Sequence, residues 1–180
     1  MARISPEQMQ QFDAAAHKTI SEKVESNSKL VDDVVNSIVS RYSSELDTVM
    51  REAHDALQHS ENLSDSDIER FILRIPIQLY FSSPSQELVG IREDVAKMIR
   101  QRMYIEARQS ASGTVEDKNT AAEKQVMQET LTAVAYGRAN KTLKAKNEAA
   151  FEVLSAFKKV LSRRMEEYQI TRYGGNDNGM

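Results

Sequence analysis

Residues 71–81 read FILRIPIQLYF, and their folding decides the fold class. The odd positions Phe71, Leu73, Ile75, Ile77, Leu79 and Phe81 are all apolar, which is the alternation of a strand. The set Ile68, Phe71, Ile72, Ile75 and Leu79 fits a helical repeat equally well. Pro76 bars a central strand and kinks a helix. A lone strand would find no partner elsewhere in the sequence, so the segment is expected to be helix, broken near Pro76.

The composition supports an all-α reading. Six Gly and three Pro in 180 residues are too few for a turn-rich β-sandwich. The absence of Cys excludes disulfides, zinc ribbons, iron–sulfur clusters and a thiol nucleophile. Apolar residues are 40% and aromatics 6%, a thin core that long helices usually complete by packing on one another, often between subunits.

Working toward the N-terminus, His59 to Asp67 is a polar loop, and Ser64 with Asp67 can start the next helix. Val31, Val35, Ile38, Tyr42, Val49 and Ala53 follow steps of three, four or seven, a coiled-coil-like seam. Ser5, Pro6 and Gln8 read as a helix start, followed by Met9, Phe12, Ala16 and Ile20 at helical spacing. Toward the C-terminus, Ser83-Pro84-Ser85-Gln86 repeats that pattern and opens a helix running to Ser110. Thr114 with Asp117 is a capping box opening a helix from about Val115 to Tyr168, with Gly137 its weak point. Three segments follow: 1–62, acidic amphipathic helices; 63–172, a helical core with a long C-terminal hairpin; 173–180, a disordered tail. An arm of about 54 residues spans about 80 Å. Its shorter partner cannot cover it, so the chain is expected to be oligomeric.

Net charge is −3, but unevenly spread. Residues 1–90 hold 8 Lys/Arg and 15 Asp/Glu, a net −7, and residues 91–180 hold 16 and 12, a net +4. A local basic surface can bind phosphate in an acidic protein, because screening limits repulsion to about 8 Å. No export signal and no apolar run of membrane-spanning length stand out, so a cytoplasmic location is expected.

Enzyme motifs are absent: there is no Gly-rich phosphate loop, GxSxG, HExxH or DxDxDG. His54, Asp55 and His59 are sparse for a metal site, and no cofactor is expected. On the helix after Pro84, Leu88, Ile91, Val95, Met98, Ile99 and Ile105 form an apolar arc. Lys97, Arg100, Tyr104 and Arg108 form a second arc at steps of three, four and four. Cations with an aromatic among them suit single-stranded nucleic acid, neutralising phosphates and stacking on a base. The same stripe also reads as an ordinary solvated face. Arg102 lies inside the apolar arc, where it can snorkel, pair with a carboxylate or face another subunit. Gly137 to Glu148 carries Arg138, Lys141, Lys144 and Lys146 and few core residues, a second candidate phosphate patch. Phe151, Phe157 and Leu161 read as core or subunit interface.

The order Leu79-Tyr80, Ala107-Arg108, Ser112-Gly113, then a long helix reaching Ser162-Arg163 resembles the UvsY-type recombination mediators of phages, over about residues 76–170. The resemblance implies an oligomeric, non-enzymatic protein that binds single-stranded DNA. Such a protein loads a RecA-like recombinase onto strands coated by single-strand DNA-binding protein. It implies DNA contacts near Arg108, the second position of the family's basic pair, whose first position is Glu106 here. With the stripe and the second patch, the expected DNA-binding set is Lys97, Arg100, Tyr104, Arg108, Arg138 and Lys141. The resemblance also places oligomer contacts on the C-terminal helix, at Leu154, Phe157, Leu161 and Tyr168. The alternative is a phage scaffold or assembly chaperone using the same coiled-coil-like helices without DNA.

Overall fold

A computed structural model describes residues 6–59 and 62–174, with side chains described at Lys18 and, within those ranges, from residue 21 to residue 172. The fold is all-α. The described helices are α1 (Pro6–Gln58), α2 (Asp65–Ser110), α3 (Val115–Gln125) and α4 (Met127–Gly174), with no strand among the described residues. The expected cap at Ser5, the side chains of Met9, Phe12, Ala16 and Ile20, and the tail from residue 175 lie outside the described residues.

Two of the three helix starts expected from the first loop onward are present, at Ser64 and at Thr114. Ser64 Oγ accepts from the Asp67 N–H at 3.1 Å, while the Asp67 carboxylate accepts from the Ser64 hydroxyl at 2.6 Å. Thr114 and Asp117 close a complete capping box. The preceding Gly113 has φ +109°, a conformation that a side chain would strain.

Three boundaries differ from the sequence reading. α2 is one helix through Pro76 and Pro84, not two segments broken near Pro76 and restarted at Ser83. Both prolines are exposed, so the carbonyls four residues earlier can turn toward water. The long last helix is divided at Val126 (φ −97°, ψ 19°), where the hydrogen-bond ladder continues through Val126 N–H to Ala122 and Thr130 N–H to Val126. It also runs on to Gly174.

The chain forms two compact units: Met1–Ser37 with Arg92–Arg138, and Ile38–Ile91 with Ala139–Met180. These do not follow the linear division at residue 62, since α1, α2 and α4 each contribute to both.

The second unit holds the larger apolar core. Leu46, Val49 and Ala53 of α1, Ile68, Phe71, Ile75 and Leu79 of α2, and Ala150, Leu154 and Phe157 of α4 form one buried cluster. Phe71 stacks on Phe157 with ring centroids 4.9 Å apart. The helical reading of 71–81 is settled by this packing: Phe71, Ile75 and Leu79 are buried, while Leu73, Ile77 and Phe81 are exposed. Leu154 and Phe157 therefore fill the chain's own core and are not available as an oligomer interface. Leu161 packs partly buried against that core, and Tyr168 is exposed. The arm is covered here by α1 as well as α2. Beyond the apolar cluster, the contacts turn polar. Ser82 Oγ donates to Asn147 Oδ1 at 2.5 Å, Asn147 Nδ2 donates to Gln86 Oε1 at 3.1 Å, and Lys146 pairs with Asp47.

The first unit is packed mainly by small residues: Val31, Ala96, Ala107, Ala122, Val126, Ala133 and Ala135 are buried. A Cβ on Gly137 would sit 3.1 Å from Glu93 Oε1. Gly137 thus leaves room for the Glu93 side chain of α2 against α4.

Two predictions follow from this packing. Phe157→Ala removes a fully buried ring and should cost about 3–5 kcal/mol in urea unfolding; a loss below about 1 kcal/mol would contradict the core assignment. The hydroxyls of Ser64 and Thr114, and then their backbone N–H groups, hold the Asp67 and Asp117 carboxyls below the ordinary aspartate range. Their stabilisation is complete above the unfolded-state value and is lost as pH falls through the lower folded-state value. The paired Ser64→Ala and Thr114→Ala variant should show a flatter fall of Tm with pH below about pH 4. An unchanged acid limb would count against the two caps.

Candidate functional site

In the first unit, α2 presents two rows at coiled-coil spacing, and they are not the way round that hydrophobicity indicates. The row facing inward is Glu93, Ala96, Arg100, Met103 and Ala107, at steps of three and four. Ala96 and Ala107 are buried, and Glu93, Arg100 and Met103 are half-buried. The row facing outward is Val95, Met98, Arg102 and Ile105, with Ile99 beside it. Its apolar members expose between 45% and 71% of their surface, Ile105 least and Met98 most. Leu88 and Ile91, the earlier members of the expected apolar arc, are also exposed in the second unit.

This geometry takes apart the expected DNA stripe. Arg100 turns inward, and its Nε donates to Thr130 Oγ1 on α4 at 2.7 Å. Tyr104 is half-buried beside it. Lys97 is exposed but bonded to Glu93 at 2.5 Å, and that carboxylate holds its ammonium above the usual lysine range. Arg138 pairs with Asp32 on α1 at 3.4 Å. Arg108 is exposed and makes no ion pair with the described residues. With Arg100 turned inward and Tyr104 half-buried, the α2 residues of the expected set do not present one exposed stripe, and Lys141 belongs to the second unit. Arg102 pairs with Glu106 at 2.9 Å, which raises the guanidinium further above its already high range.

The second unit carries a basic face that the sequence reading undervalued. Lys141, Lys144, Phe151, Lys158 and Lys159 fall within an arc of about 100° on α4, and all are exposed. Phe151 exposes 54% of its surface, so it is neither core nor packed under a loop. Its position was legible: the buried α4 residues Ala139, Leu143, Asn147, Ala150, Leu154 and Phe157 step by threes and fours, and Phe151 lies off that row. Lys141, Lys158 and Lys159 make no ion pair with the described residues, while Lys144 lies 3.9 Å from Glu148 in the same arc. The segment Gly137 to Glu148 is also less bare than expected, since Ala139, Leu143 and Asn147 are buried.

Two grooves lie on the first unit. One, of about 690 Å³, runs beside Met98, Gln101, Arg102, Ile105 and Glu106. The other, of about 320 Å³, lies between α2 and α4; its lining includes Arg92, Val95, Ala96 and Ile99 of α2 and Glu129, Thr132 and Tyr136 of α4. Glu129 Oε2 is buried without a hydrogen-bond partner. His54 shares a 2.9 Å hydrogen bond with Gln58, and among the described residues no three His, Asp or Glu side chains converge as metal ligands. No helix among them is long and apolar enough to cross a membrane.

Comparison with known proteins returns nothing. No family model, curated protein or solved structure matches the chain.

The different surroundings of two arginines on one helix, Arg100 bonded to α4 and Arg108 exposed, make a direct prediction. Arg100→Ala should lower the unfolding free energy by on the order of 1 kcal/mol, through the lost bond to Thr130. Arg108→Ala should change it by less than about 0.5 kcal/mol. Equal losses in denaturant melts would contradict the inward placement of Arg100.

Proposed function

We propose that the chain is a non-catalytic, oligomeric single-stranded-DNA-binding protein acting as a recombination mediator. In this reading it works in the cytoplasm of a phage's host cell and helps a RecA-like recombinase displace single-strand DNA-binding protein. One observation carries the DNA-binding part: the face of α4 where exposed Phe151 lies among Lys141, Lys144, Lys158 and Lys159. Phosphates along a strand favour cations at repeated spacing, and an exposed ring between them offers a stacking platform for any base. This face replaces the α2 stripe as the main contact, with Arg108 a separate exposed cation. The acidic N-terminal half would stay off the strand. The recombinase-loading part rests on the family resemblance.

A labelled single-stranded oligonucleotide titrated at low and at physiological salt tests the proposal. Binding should weaken steeply as salt rises. The Lys158→Ala, Lys159→Ala pair should lower the slope of log affinity against log salt by about 1.4. Phe151→Ala should weaken binding by about 1–3 kcal/mol and leave that slope unchanged. No binding at low salt would overturn the reading and favour the scaffold or assembly chaperone, a role for which the exposed apolar row of α2 would suffice.

A further inference from the structure

We propose that the outward row of α2 in the first unit pairs with the same row of a second copy of this chain, antiparallel, about a twofold axis near Ile99. The inference is independent of DNA binding.

Val95, Met98, Arg102 and Ile105 follow the three-four spacing of a coiled-coil seam. The side of α2 that faces its own unit is a different row, so this seam is left largely exposed, with Val95 and Ile99 bordering the groove against α4. Exposed apolar rows at this spacing mark a helix-to-helix contact more than a solvated surface. A contact between two copies must be self-complementary, and charge selects the direction.

In a parallel pair each seam residue meets its own copy. Arg102 would then face Arg102 inside the seam, and the flanks would set Asp94 against Ile99 and Gln101 against Glu106. No opposite charges meet in this register. In the antiparallel pair Val95 faces Ile105 of the second copy, and Met98 faces its Arg102. Ile99 meets its own copy beside the axis. The flanks now match: Asp94, 3.9 Å from Lys97 in its own chain, lies against Arg108 of the second copy, and symmetry doubles the pair. Arg102 lays its stem over Met98 while Glu106, 2.9 Å away, holds its guanidinium at the rim. The 320 Å³ groove lined by Val95, Ala96 and Ile99 supplies a seat for the second copy's Ile105.

The test uses the full chain without DNA. Sedimentation or light scattering should show self-association, and Met98→Glu should abolish it without loss of helix content, since Met98 is 71% exposed. The chain has no cysteine, so single cysteines report orientation. Ile99→Cys should cross-link two copies under mild oxidation, and Val95→Cys should not. An Asp94→Arg variant should weaken association, and adding Arg108→Asp should restore it. A monomeric wild-type chain, an oligomer indifferent to Met98→Glu, or preferential cross-linking through Val95→Cys would each overturn the proposal.

Discussion

The bond from Arg100 to Thr130 and the close approach of Gly137 to Glu93 hold α2 in one rotation against α4 in the first unit. Both contacts need a row of small and polar side chains on the inner face of α2. An alanine-lined contact brings backbones close and leaves little room for Val95, Met98 or Ile105. Those residues therefore point away, although burying an average aliphatic side chain would contribute about 1.5–3 kcal/mol. The chain forgoes that burial within one copy. A surface built this way makes sense when another helix supplies the burial.

The second unit follows the ordinary rule at one end and departs from it at the other. Phe71 on Phe157 anchors an apolar cluster from three helices. Ser82, Asn147 and Gln86 then replace apolar contacts by a partly buried hydrogen-bond chain. Such a chain is costly if misaligned, because any member left unpaired loses its hydration for nothing. It fixes the register of α2 against α4 more sharply than sliding aliphatic side chains would. The outer face of α4 is then left to lysines and Phe151.

The fold class, both capping boxes and the helical state of 71–81 were legible in the sequence, because each rests on local rules. Ser64 with Asp67 and Thr114 with Asp117 are bonds between residues three apart. The orientation of α2 was not legible. Leu88, Ile91, Val95, Met98 and Ile105 outscore Glu93, Ala96 and Arg100 in hydrophobicity, so a moment argument buries the wrong side. Alanine at the three-four spacing was the missed signal, since Ala96 and Ala107 mark close packing as surely as leucine marks a core. The prolines misled for a related reason: a proline breaks a helix where its missing N–H is buried, whereas Pro76 and Pro84 are exposed.

In the first unit α2 buries its small and polar row and exposes its apolar one. Single cysteines placed at positions 95, 96, 105 and 107 of the Met98→Glu chain, followed by thiol-labelling rates, measure it directly. Labelling should be fast at 95 and 105 and slow at 96 and 107. The reverse order would mean that α2 is rotated the other way, with its apolar row inside.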